Sequence, residues 1–137
     1  MASKVFLDAN VILEFFLRRE MLDDARNIFI QIQEGNVRGF TTASVIQTCG
    51  YILIRSFGNE TTKKILLGML TYVTVIGCRH ETVISALNSI ISDPEDAIQY
   101  YSAVENNLDF YITFDKGLIR QSKPNLPILT PKDFLNS

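Results

Sequence analysis

Three aspartates stand where the chain changes from one hydrophobic period to another. Asp8 closes the apolar run Val5-Phe6-Leu7, Asp96 belongs to the segment Asp93-Pro94-Glu95-Asp96-Ala97, and Asp115 follows Phe110-Tyr111-Ile112-Thr113-Phe114. The first run is continuously apolar, as in a strand covered on both faces, and Val11, Ile12, Phe15 and Phe16 then recur at helical spacing. In an open parallel sheet, ligands bind beyond the carboxyl ends of the strands. Asp8 and Asp115 are therefore predicted to share one edge, and a helix starting at that edge would bring Asp96 beside them. Carboxylates gathered in one hollow repel each other and need counter-charge. Oxygen ligands without histidine or cysteine favour Mg2+ or Mn2+ over zinc. An ion held in this way lowers the pKa of a bound water and neutralises charge developing on a phosphate, which suits phosphodiester hydrolysis.

Each acid also has an ordinary structural use. Asp8 can cap the helix that follows it, although Asn10 could do the same and leave Asp8 with less structural reason to be there. Asp93 reads as a helix cap with Pro94 at the first helical position, and Glu95 and Asp96 complement the helix dipole. Asp115, before Lys116-Gly117, can be a turn aspartate. Joint placement is what separates chemistry from capping. Competing chemistries find little support: Cys49 and Cys78 lack paired spacing and read as buried free thiols, and His80 is the single histidine, read as a helix-start or surface residue. No glycine loop cradles phosphate, and no serine, cysteine or histidine arrangement supports covalent catalysis.

The elements that must position these acids alternate along the chain. Leu22, Ala25, Phe29 and Ile32 mark an amphipathic helix ending at Gly35-Asn36, and Val37 to Thr41 reads as a short strand. Ser44 to Arg55 reads as an apolar helix closed by Phe57-Gly58-Asn59, and Thr61 can cap a further helix carrying Ile65, Leu66, Met69 and Leu70. Tyr72 to Cys78 is a β-branched strand, and Thr82 to Ile91 is helical. A helix from Asp93 carries Ala97, Tyr101, Val104 and Leu108, then Phe110 to Phe114 and Ile128 to Thr130 read as strands before a terminal turn of helix at Pro131. Such alternation predicts an α/β fold with a central parallel sheet between helices and right-handed crossovers.

With 137 residues, 47% of them hydrophobic, the chain suits a single domain over residues 1–137. No apolar run approaches the roughly 20 residues that span a bilayer, and the amino terminus lacks signal-peptide order, so no membrane is expected and the cytoplasm is the default. A net charge of −2 and a pI near 5.3 give no global signal for nucleic acid, which usually draws on a basic face. A polyanionic substrate must be met locally or through cations.

The order of Val5-Phe6-Leu7-Asp8-Ala9-Asn10-Val11-Ile12-Leu13, then Asp93-Pro94-Glu95-Asp96-Ala97, then Tyr111-Ile112-Thr113-Phe114-Asp115 resembles the PIN domain family, which includes VapC-like toxins of toxin–antitoxin pairs. The resemblance spans essentially the whole chain, down to Ile128-Leu129-Thr130-Pro131 and Phe134-Leu135. It implies a three-layer α/β/α sandwich, a Mg2+- or Mn2+-dependent ribonuclease acting on RNA, frequent homodimers and, for a toxin, an antitoxin protein as partner. It also implies that Asp8, Asp96 and Asp115 are the catalytic, metal-holding acids, with Asn10 and Thr113 as polar supports and Glu95 as an outer neighbour.

One departure matters. Such domains generally carry another acid on the helix after the second strand, where this chain has Thr48 or, with a one-residue slip, Gln47. The loss predicts weaker metal binding and slow or absent catalysis. Glu14, about one and two-thirds turns beyond Asp8, is a candidate to compensate if it points to the cleft, and a solvated helix position if it does not. Among scattered basic residues, Lys116 and Arg120 follow Asp115 closely enough to touch RNA phosphates, with Lys123 near them. The competing class is a binding module for RNA or protein that kept the fold without the fourth acid. A related alternative has the helices around Ile28 to Ile32 and Ile65 to Leu70 pairing subunits or holding an antitoxin.

Overall fold

The computed structural model describes residues 1–121 and 125–137, and its elements alternate as expected. In chain order they are β1 (Ser3–Leu7), α1 (Ala9–Phe16), α2 (Leu22–Gln33), β2 (Val37–Thr42), α3 (Ala43–Met69), β3 (Val73–Ile76), α4 (His80–Leu87), α5 (Pro94–Glu105), β4 (Phe110–Ile112), α6 (Lys116–Ile119), β5 (Ile128–Leu129) and α7 (Pro131–Leu135). The strands form one sheet in the order β3-β2-β1-β4-β5, and every neighbouring pair is parallel. The chain therefore builds outward from β1 through β2 to β3, then returns to lay β4 on the other side of β1. That reversal puts a topological switch point between β1 and β4, beyond whose carboxyl ends a crevice opens.

The strand residues alternate between two covered faces. Phe6 pairs with Tyr111 in the β1–β4 register, their rings stack at 4.7 Å, and Tyr111 lies 6.1 Å from the ring of Tyr100 on α5. On the opposite face, Gly39 pairs with Val5, and a Cβ placed on Gly39 would stand 2.8 Å from Ile32 Cδ1 of α2. Glycine at this point lets α2 approach the sheet closely. Val5, Phe6 and Leu7 are wholly buried, as their uninterrupted apolar run required. The result is an α/β/α sandwich around an all-parallel sheet.

Boundaries differ in ways with local causes. α3 is continuous except at Gly58, whose φ of 77° and ψ of 172° no helix accommodates. The break falls where Phe57-Gly58-Asn59 suggested an end, but helix resumes at once, so Thr61 lies inside the second segment and does not cap it. α4 begins at His80, earlier than Thr82, which accounts for the lone histidine as a helix-start residue. Among the described residues no helix is long and apolar enough to cross a membrane.

Candidate functional site

Asp8 is brought to the crevice by the pairing of β1 with β4: its backbone N–H donates to Ile112 O at 3.1 Å, and the chain then turns into α1. Its carboxylate is 8% exposed. One oxygen, Oδ1, accepts from Ala9 N at 2.8 Å, and Oδ2 accepts from Thr113 Oγ1 at 2.9 Å. Asp8 thus does cap α1, the ordinary use open to it in sequence, and Asn10 does not take that place. Asn10 looks the other way, donating through Nδ2 to Thr113 Oγ1 at 2.9 Å and accepting from Phe114 N at 3.0 Å.

Thr113, fully buried just past β4, is the hub of this arrangement. Its hydroxyl donates to Asp8 and accepts from Asn10 and from Asp115 N at 3.1 Å, which uses its donor and both acceptor positions. Asp115 then caps α6 by accepting from Leu118 N at 3.2 Å. On α5, Asp93 caps by accepting from Asp96 N at 3.0 Å, and Pro94 occupies the first turn. Asp8, Asp96 and Asp115 each lie at the amino-terminal end of a helix, where the dipole favours negative charge.

Burial and neighbouring charge act together on two of these acids. Burial pushes the Asp96 carboxyl up to about 7, and the charges of Asp8, Asp93, Asp115 and Glu95 add to the rise. Asp8 is raised first by burial and then by Asp115 and Glu95, while its bonds from Thr113 and Ala9 pull the other way. Among the described residues none of Asp8, Glu95, Asp96 and Asp115 is in an ion pair; the paired acids are Glu14, Asp23, Glu60 and Glu105. An all-oxygen donor set with no cationic side chain paired to it, in which Asp8 and Asp96 are raised, has the chemistry that a hard divalent ion takes. No three of the described His, Cys, Asp or Glu groups stand close enough together to share one ion as they are placed, so binding requires the exposed Glu95 and Asp115 and the half-buried Asp96 to turn inward.

The remaining expected residues divide. Thr48, half-buried on α3, donates to Glu95 Oε1 at 3.2 Å, whereas Gln47 is exposed. Of these two, Thr48 is therefore the one that faces α5. Glu14 does not turn to the cleft: its Oε1 accepts from Met21 N at 3.0 Å and Oε2 lies 3.9 Å from Arg19 Nη1, so it closes the turn between α1 and α2. Lys116 and Arg120 are exposed on and just after α6, beside Asp115, and Lys123 lies outside the described residues. Ile28 and Ile32 belong to the core, at 0% and 5% exposure, and cannot meet a partner. Cys49 is buried with its thiol pushed up to about 12, by burial and then by Asp8 and Glu95, and is inert.

Two residues escaped the sequence reading. Buried Gln99, one turn past Asp96, accepts from Thr42 Oγ1 at 2.5 Å and donates to Ser44 Oγ at 3.1 Å, clamping α5 to the start of α3. A polar residue one turn from an acid was the available signal. Tyr111 is fully buried, and its hydroxyl has no hydrogen-bond partner among the described residues.

A family model described as "PIN domain" matches residues 4–117. No curated protein matches the sequence. Among solved structures, VapC20 of Mycobacterium tuberculosis, a sarcin-ricin loop cleaving toxin, aligns with a TM-score of 0.64 at 13% identity, over 81% of this chain and 89% of that one. VapBC2 from Rickettsia felis, solved bound to a DNA fragment from its promoter, aligns with a TM-score of 0.65 at 16% identity, over 91% of this chain and 96% of that one. PAE2754 from Pyrobaculum aerophilum aligns with a TM-score of 0.65 at 15% identity, over 99% and 97% of the two chains. At such identities the likeness is one of fold.

Proposed function

The chain belongs to the PIN domain family, and from that premise we propose that residues 1–137 form a single-domain, divalent-metal-dependent endoribonuclease, the toxin of a toxin–antitoxin pair, acting in the cytoplasm. The observation that carries this reading is the placement of Asp8 and Asp115 beyond the adjoining carboxyl ends of β1 and β4, joined through Thr113 Oγ1, with no cationic side chain paired to Asp8, Asp96 or Asp115 among the described residues. Bound there, Mg2+ or Mn2+ would supply the counter-charge, a water of lowered pKa and a partner for the charge developing on phosphate.

The protein's own part is to hold and orient. Asp8, Asp96 and Asp115 are the proposed ion-holding acids, and Thr113 and Asn10 fix the direction of Asp8 so that its carboxylate meets an incoming ion without rearrangement. Lys116 and Arg120 flank Asp115 and would contact RNA phosphates on either side of the scissile bond. For the antitoxin, a cavity of about 260 Å3 between α1, α2 and the second half of α3 favours a partner segment with apolar side chains, being lined by Phe15, Phe16, Phe29, Ile65, Met69 and Tyr72. Ile30 and Leu67, both exposed, would extend that contact or serve a homodimer.

Incubating the purified chain with mixed RNA, with and without Mn2+ and beside Asp8→Asn, tests the reading. Cleavage that requires Mn2+ and is lost in the variant is expected. Equal cleavage by both proteins would expose a contaminant, and none by either would favour the competing binding module.

A further inference from the structure

From Ala43 to Asn59, the first segment of α3, the chain carries a single charged residue, Arg55. Val45, Cys49 and Leu53 turn one side of this segment into the core. Ser44, Thr48, Tyr51 and Arg55 follow one another at steps of four, three and four, which keeps them on one flank of the helix. That flank starts at the crevice. Ser44 Oγ accepts from Gln99 Nε2 at 3.1 Å and Thr48 Oγ1 donates to Glu95 Oε1 at 3.2 Å, both on α5, while Cys49 Sγ lies 3.8 Å from Ala9 O, next to Asp8. The first two turns of α3 therefore sit between the helix starts that carry Asp8 and Asp96.

Farther along, the flank opens to solvent, and Tyr51 is 66% exposed. The Arg55 guanidinium lies 4.8 Å from the centre of the Tyr51 ring and donates through Nη2 to its hydroxyl at 3.0 Å. No carboxylate among the described residues is paired with Arg55. The pair thus holds a ring in one orientation, with arginine over one face, and keeps an uncompensated positive charge beside it. Such a ring is a platform for a nucleobase, and such a charge is a partner for the phosphate attached to it. By the rise of a helix, Tyr51 stands about 4.5 Å and Arg55 about 10.5 Å beyond Thr48 along the axis.

We propose that Tyr51 and Arg55 form a stacking subsite for an unpaired nucleotide of single-stranded RNA, outside the acid crevice on its α3 side. This rests on the ribonuclease reading of the crevice. α3 leaves the sheet from β2, and α6, with Lys116 and Arg120 on and just after it, follows β4, so the two cationic segments lie on opposite sides of the β1–β4 switch point. A strand held at both crosses the crevice. Stacking needs a base free of its pairing partner, so the subsite selects a single strand or a loop over a duplex. Every base has a face to stack, so the subsite fixes the path of the strand and not the identity of the base.

The test is binding of a fluorescein-labelled oligouridylate by the full chain, followed by fluorescence anisotropy in EDTA, where metal-dependent cleavage cannot occur, and again in Ca2+. Wild type is compared with Tyr51→Ala, Tyr51→Phe, Arg55→Ala, and Lys116→Ala combined with Arg120→Ala. Tyr51→Ala is expected to weaken binding by at least about fivefold, the low end for loss of one stacked base, and Tyr51→Phe, which keeps the ring, to retain most of the affinity. Arg55→Ala is expected to lessen the slope of log affinity against log salt by about 0.7, the value for one phosphate contact on a single strand. The same strand annealed to its complement is expected to bind without regard to Tyr51→Ala. Wild-type affinity in Tyr51→Ala alongside weakened binding in the Lys116 and Arg120 variant overturns the subsite and leaves the RNA reading standing. Wild type that binds the strand in neither buffer overturns both. Sedimentation velocity on the same variants checks the competing occupant: a dimer that Tyr51→Ala dissociates, with RNA affinity unchanged, gives this flank to a second copy of the chain and overturns the proposal.

Discussion

A single oxygen atom, Thr113 Oγ1, fixes the approach of two acids that lie more than a hundred residues apart in sequence, Asp8 by donating to its carboxylate and Asp115 by accepting from its backbone N–H. Thr113→Val preserves shape while removing the donor to Asp8 and the acceptor for Asn10 and Asp115 N. Only the bond to Asp8 is fully buried, and a group deprived of its partner there costs about 1–3 kcal/mol, so the variant should lose at least about 1–3 kcal/mol in urea unfolding. Full stability would show that water replaces the hydroxyl. Tyr111→Phe should go the other way: its hydroxyl is buried without a partner among the described residues, and removal should leave the metal-free protein equally stable or more stable by up to about 1 kcal/mol in the same assay. The acids were legible because each stands at a strand or helix boundary. Glu14 was misjudged because its partner, Met21 N, lies beyond a turn whose geometry no helical period describes. Tyr111 passed as an ordinary strand aromatic, since nothing local says that its hydroxyl ends buried without a partner among the described residues.

At the level of elements, parallel pairing and helix starts do the positioning, and both leave traces in sequence. Uninterrupted apolar runs mark β1 and β4, and Asp-Pro marks the start of α5. The strand order leaves none: that β4 returns beside β1 depends on contacts between distant segments, and only the alternation of elements hinted at it. α3 illustrates the limit. Its two segments were anticipated, but helix resuming directly after Gly58 was not, because one glycine in the mirror-image extended region turns the axis without a loop. Gly58 has a φ of 77°, and no atom lies within 4 Å of where its Cβ would stand, so the cost of adding a methyl is in the backbone alone. Gly58→Ala should therefore destabilise by about 1–3 kcal/mol. Denaturant unfolding measures this, and an unchanged midpoint would mean that the break relaxes to ordinary helix.

Taken as a whole, the molecule balances a core built for stability against a crevice that opposes it. Asp8 and Asp96 are both raised, by burial first and by neighbouring carboxylates next, Asp96 from 3.8 to about 7. At a pH between those values the folded chain binds more protons than the unfolded one, and stability must then fall as pH rises. The penalty is absent below about pH 4 and fully developed above about pH 7. Glu105 has the opposite sign, lowered chiefly by its bond from Thr82 and then by the Arg79 N–H; its contribution is lost only as pH falls through a value below 4.5 and does not offset the trend at higher pH. In EDTA the melting temperature should accordingly decrease from about pH 5 to about pH 7, and Asp96→Asn should flatten that slope. Mn2+ should restore stability most at the upper end, where protons no longer compete for the carboxylates. Thermal melts across this range, with and without Mn2+, check all three. A melting temperature that climbs with pH in EDTA would mean that the carboxylates are already neutralised within the fold, which removes the need for a cation on which the proposed chemistry depends.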